Sequence, residues 1–175
     1  MTTRIGVRLA LIATVVTTIG CDRVTKQVAT AALAGEPGRS YWADTVRLVY
    51  AENTGGFLSL GEGLPEAART AVFGVGTGLI LFALAGAAVR YRWQGLPIFG
   101  AGFVLAGGLS NWIDRVVHGR VIDFINVGVG PVRTGIFNVA DVGIMIGIGM
   151  LLVAEIRAHR AAPGNGRTGP FGDAL

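Results

Sequence analysis

Two aspartates, Asp123 and Asp141, are of the right type for hydrolysis without a metal. Carboxylates held about 3 Å apart cannot both ionise easily, so they share a proton. The charged one can draw a proton from water while the neutral one donates to a scissile carbonyl, and no nucleophilic side chain is needed. Asp123 lies in Val121-Ile122-Asp123-Phe124-Ile125, a carboxylate between large apolar residues. That pattern fits an exposed position on an amphipathic strand equally well. Asp141 follows Asn138 by three residues, a spacing that also suits the cap of a helix. Two further polar clusters have helical spacing: Asp22 with Thr25 and Lys26, and Asn111 with Asp114 and Arg115. Lys26, the chain's only lysine, reads as the ion-pair partner of Asp22, and Asp114 as the group that fixes Arg115. Asn53, Gly55 and Gly56 are turn formers, with substrate-backbone binding as the other reading of Asn53.

Rival chemistries find less support. Ser110 has no histidine within an expected spanning helix to activate it. Cys21, His118 and His159 match no standard metal-ligand spacing, so neither a metal nor a cofactor is expected.

The elements that carry these residues belong in a membrane. Of 175 residues 51% are hydrophobic and only 15% charged, with a mean hydropathy of +0.57, too little polar surface to cover a water-soluble globule. The net charge of +4 is scattered rather than gathered into an aromatic-interleaved patch. Membrane lipid, not nucleic acid, is the expected partner. Ala71–Val89 and Gly95–Ile113 contain no charged residue, Gly135–Ala154 contains only Asp141, and Gly6–Ala34 spans if Arg8 and Lys26 snorkel. The expected fold is an all-α integral membrane domain over residues 1–157, with helices at about 6–34, 70–90, 95–114 and 136–156. A disordered cytoplasmic tail is expected over 158–175. Alternation over Val46–Tyr50, a turn at Asn53–Gly56 and a return strand at Phe57–Leu60 predict a small β-sheet cradle in the first extracytoplasmic loop. Arg115–Thr134 forms the second connection. Arg4, Arg8, Arg90, Arg92, Arg157 and Arg160 satisfy the positive-inside rule for two cytoplasmic termini. Alternating helices then bring Asp22, Asp114, Asp123 and Asp141 to the outer face.

Four motifs in order resemble those of lipoprotein signal peptidase, the signal peptidase II family of aspartic peptidases. Asp22-Arg23-Val24-Thr25-Lys26 is similar to its D-x-x-T-K, and Asn111-Trp112-Ile113-Asp114-Arg115 to its N-x-x-D-R. Val121-Ile122-Asp123-Phe124 is similar to V-x-D-F, and Phe137-Asn138-Val139-Ala140-Asp141 to F-N-x-A-D. Ser110 stands where that family usually has glycine, and the Asn53–Phe57 loop is one residue short of the family pattern. The resemblance implies that Asp123 and Asp141 are the catalytic pair. It implies that Asp22, Asn53, Asn111, Arg115 and Asn138 are supporting polar residues, with Lys26, Gly55 and Asp114 beside them in the same motifs and loop. It also implies a substrate, a prolipoprotein cut before a cysteine already carrying diacylglycerol, and an inner-membrane enzyme expected to act as a monomer. Two alternatives remain at this stage. One is a small transporter or channel with an aspartate-lined site. The other is that Thr18-Ile19-Gly20-Cys21 is a lipobox of the chain itself.

Overall fold

A computed structural model describes residues 2–56, 61 and 63–161. Its elements are α1 (Thr2–Leu33), β1 (Arg39–Tyr41), β2 (Val46–Asn53), α2 (Glu66–Arg90), α3 (Leu96–His118), β3 (Val121–Val129), β4 (Val132–Arg133) and α4 (Val139–Ala161). Among the described residues, these four helices are long and apolar enough to cross a bilayer.

The polarity of the molecule is inverted relative to a soluble domain. Val16, Leu79 and Phe82 are 63%, 63% and 78% exposed, whereas Asp22, Ser110 and Asn138 are fully buried. Lipid contact for the first group and mutual hydrogen bonding for the second make this arrangement stable. In lipid no hydrophobic force draws helices together, so close backbone packing must hold them. α3 packs on all three other helices, most extensively on α4. There a Cβ on Gly147 would lie 2.5 Å from the carbonyl oxygen of Gly100, and one on Gly107 would strike the carbonyl of Ala140. Glycine is what lets these two backbones touch.

The strands form one antiparallel sheet in the order β1-β2-β3-β4. It differs from the expected cradle, because β3 and β4 come from the second connection and not the first. β2 pairs with β3 in a register that sets Ala51 opposite Asp123 and Asn53 opposite Val121. Phe137 then bridges to Ile125, donating its N–H and accepting one back at 2.9 Å each way. This pairing delivers the start of α4 beside Asp123.

Several boundaries move. α2 begins at Glu66 rather than 70, and α4 begins at Val139 rather than 136. α3 continues through Arg115 to His118, where Gly119 ends it in the left-handed conformation (φ 70°) that glycine adopts without strain. α4 runs to Ala161, so the expected disordered tail from 158 is helical at its start. Both histidines therefore fall at helix ends, contrary to the expectation that no spanning helix holds one. Cys21 lies within continuous α1. The expected return strand at Phe57–Leu60 and the tail from 162 lie outside the described residues.

Candidate active site

The site is built where α1, α3, α4 and the β2–β3 pair meet. Asn138 is the N-cap of α4. Its Oδ1 accepts the N–H of Asp141 at 3.0 Å, and Asp141 Oδ2 accepts the N–H of Asn138 at 3.1 Å. This reciprocal cap satisfies two of the donors that a helix start leaves unpaired. The capping reading of these residues is thus correct, and it leaves Asn138 Nδ2 free to turn outward. That nitrogen donates to Asp123 Oδ1 at 2.6 Å and to Asn111 Oδ1 at 3.2 Å. One asparagine therefore holds both carboxylates, Asp123 by its side chain and Asp141 by its backbone.

Asp123 is 2% exposed, which overturns the solvent-facing reading although the strand itself is present. Its Oδ2 accepts from Asn53 Nδ2 at 2.8 Å. The same amide nitrogen donates to the carbonyl of Gly56, and Asn53 Oδ1 accepts the N–H of Gly55 at 2.9 Å. Burial pushes Asp123 above the ordinary carboxylate value of 3.8, partly offset by the Asn53 and Asn138 amides. Asp141 Oδ1 accepts from Asn111 Nδ2 at 2.9 Å. Arg115 Nε donates to the Gly55 carbonyl at 2.9 Å and so braces the Asn53 loop from α3.

Beneath the two aspartates lies a buried ionic layer. Lys26 Nζ sits 2.7 Å from Asp22 Oδ2, Asp114 Oδ2 and Asn111 Oδ1. Asp22 also accepts from Ser110 Oγ at 2.7 Å and from the N–H of Ala140, in the first turn of α4, at 2.9 Å. A carboxylate there satisfies an orphan donor and complements the positive end of the helix. Because Lys26 holds Asn111 Oδ1, the Asn111 amide is oriented with its nitrogen toward Asp141.

The ten expected site residues fall in this one network: Asp22, Lys26, Asn53, Gly55, Asn111, Asp114, Arg115, Asp123, Asn138 and Asp141. Thr25, grouped with Asp22 and Lys26 by spacing, instead donates to the Cys21 carbonyl at 2.7 Å. One expected pairing is wrong. Asp114 does not fix Arg115, since adjacent helical residues do not face each other. It is paired with Lys26 and with Arg23, which also donates to the Ser110 carbonyl at 3.1 Å. Arg23 was missed, and Ser110 was weighed only as a nucleophile. Arg23 precedes Lys26 by three residues, a same-face spacing that could have found it. Ser110 gave no signal beyond its departure from glycine, and its hydroxyl is committed to Asp22, not poised as a nucleophile. Among the described residues no group of His, Cys, Asp and Glu could hold a metal. A cavity of about 400 Å³ reaches Asp141, Asn111 and Arg115, with Phe73, Ile144 and Ile148 as apolar walls.

Fold and site together define a polytopic membrane enzyme with paired buried carboxylates at one end of its helices. The profile of the family described as signal peptidase (SPase) II matches residues 14–157, and the chain belongs to that family. It is a membrane peptidase of bacterial type. It is 36% identical to the lipoprotein signal peptidase of Rhodococcus jostii over 85% of this chain and 73% of that one. It is 37% identical to that of Sphingopyxis alaskensis, over 77% of each. A bacterial membrane enzyme solved by the in meso method shares the fold, with a TM-score of 0.75 over 91% of this chain and 94% of that one at 23% identity. The transporter alternative has no support from these relatives.

Proposed function

We propose that Asp123 and Asp141 form the hydrolytic pair of a peptidase that removes signal peptides from prolipoproteins, cutting before the diacylglyceryl-modified cysteine. The observation that carries this reading is the double grip of Asn138, which hydrogen-bonds both carboxylates. Burial favours the neutral form of Asp123, which suits a pair that shares one proton. The charged member takes a proton from the attacking water while the neutral one protonates the carbonyl oxygen. Proton transfer to the leaving amine then completes cleavage. Asn53, Asn111 and Asn138 supply amide donors that hold the carboxylates in place, and no step needs a metal or an acyl-enzyme.

Both termini are cytoplasmic in this reading and the site faces outward, supported by the arginines at 90, 92, 157 and 160. The peptidase domain extends through the end of α4 at Ala161, and one copy of the chain carries every group named, which supports action as a monomer. Apolar walls on the cavity at Asp141 suit a substrate that arrives through lipid.

Incubation of the purified protein with a diacylated lipobox peptide tests the proposal, with product mass as the readout. The expected product begins at the lipidated cysteine and forms equally well with chelator present. Cleavage at another bond, or activity that chelation abolishes and zinc restores, would overturn it.

A further inference from the structure

Within α2, residues Thr70–Gly76 form a π-helical segment, an arrangement wide by one residue and concentrated at functional sites. Two contacts hold it. The indole N–H of Trp112 on α3 donates to the carbonyl of Gly74 at 2.6 Å. The same indole packs against Gly78, two residues past the segment, where an added Cβ would come within 3.1 Å of Nε1. The register that results turns Phe73 onto the loop after β2. Its ring sits so close to Gly56 and Gly61 that a Cβ would meet it at 2.6 Å and 2.9 Å respectively. Arg69, one residue before the segment, donates to Thr54 Oγ1 at 2.9 Å.

This loop is the one that aims Asn53. The Gly56 carbonyl under Phe73 accepts from Asn53 Nδ2, and that nitrogen also donates to Asp123 Oδ2. Relaxing the segment to a regular α-helix would shift the register of one flank against the other by about one residue. Phe73 would then rotate by about 100° and leave the loop uncovered.

We propose that Trp112 is a positioning residue: it locks the π-helical segment so that Phe73 presses the Asn53 loop into the geometry that donates to Asp123. The inference rests on the reading of Asp123 as one of the catalytic pair. It gives α2, which contributes no polar group to the pair itself, a defined part in setting its proton affinity.

The test compares Trp112→Phe, which keeps an aromatic ring but removes the N–H, with Phe73→Leu, which keeps apolar bulk. Profiles of kcat against pH are measured on a lipidated peptide and normalised per folded molecule. A hydrogen bond donated to a carboxylate favours its charged form, so weakening it raises the pKa. The limb that reports Asp123 should move up by about half a pH unit in each variant. The value of kcat should fall about 3- to 10-fold, the scale of one weakened hydrogen bond. The double variant should be no worse than Phe73→Leu alone, because both changes act through one chain of contacts. A merely structural role would lower the folded fraction and leave the limb in place. An unmoved limb in whichever variant folds overturns the inference. Asp123→Asn runs alongside as control: if it keeps its turnover, the pair assignment has failed instead.

Discussion

Replacing Lys26 with Met tests whether the buried ionic layer is held by charge balance. Asp22 and Asp114 carry two negative charges, Lys26 and Arg23 two positive ones, and Lys26 is only 6% exposed. Methionine keeps the length of the stem but leaves both carboxylates short of a partner. Removing one member of a buried pair costs roughly 3–5 kcal/mol. Asp22 keeps Ser110 and the Ala140 N–H, and Asp114 keeps Arg23, so the loss belongs at the lower end, about 3 kcal/mol. At about 2–4 °C per kcal/mol for a chain of this size, the melting temperature should fall by about 6–12 °C. Adding Asp114→Asn restores the balance to one negative and one positive charge, so the double variant should melt above Lys26→Met alone. The assay is thermal unfolding in detergent, with monodispersity checked by size exclusion. A drop under about 2 °C for Lys26→Met, or a double variant as unstable as the two losses added, would refute the reasoning.

Three other expectations follow from the same geometry. Asp123 is raised above 3.8 by burial, so it stabilises the fold most below that value and loses this contribution as pH rises through its folded pKa. The melting temperature of Asp123→Asn relative to wild type should therefore climb with pH, and a flat difference from pH 4 to 8 would contradict it. Gly107→Ala drives a methyl into the Ala140 carbonyl and should cost roughly 1–3 kcal/mol, whereas Gly86→Ala meets nothing within 4 Å and should be neutral in the same melts. In a Cys21-less background, a cysteine at exposed Arg92 should resist a membrane-impermeant thiol reagent in intact cells and one at exposed His118 should react. The reverse pattern would overturn the proposed orientation.

The helices were legible because a bilayer imposes a length and a polarity that few other constraints mimic. Alternation over Val46–Tyr50 likewise announced β2. What sequence did not reveal was the partner of that strand. Asp123 reads as an exposed strand position until β3 is paired with β2 and Phe137 is tied to Ile125, and those are contacts between separate connections. The residues of the site were readable as types, since three polar clusters have i, i+3 or i+4 spacing. Their pairings were less so. Asp114 was matched to its sequence neighbour Arg115, while three-dimensional packing gave it Lys26 and Arg23 from α1. The π-helical segment left no trace that periodicity could detect. Residues Thr70–Gly76 simply continue an apolar run, and only the contacts of Trp112 and Phe73 reveal its register.

The central claim is that Asp123 and Asp141 together perform the hydrolysis, and turnover per folded molecule of Asp123→Asn and Asp141→Asn tests it most directly. Asparagine keeps the size of each side chain but removes a charge or a transferable proton. Each variant should remain folded by size exclusion and still bind lipidated substrate, yet lose about 10²–10⁴ in rate. If either variant keeps more than about a tenth of wild-type turnover, the residue replaced is not one of the pair. Buried Asp114, already tied into the network through Lys26, would then be the first carboxylate to examine in its place.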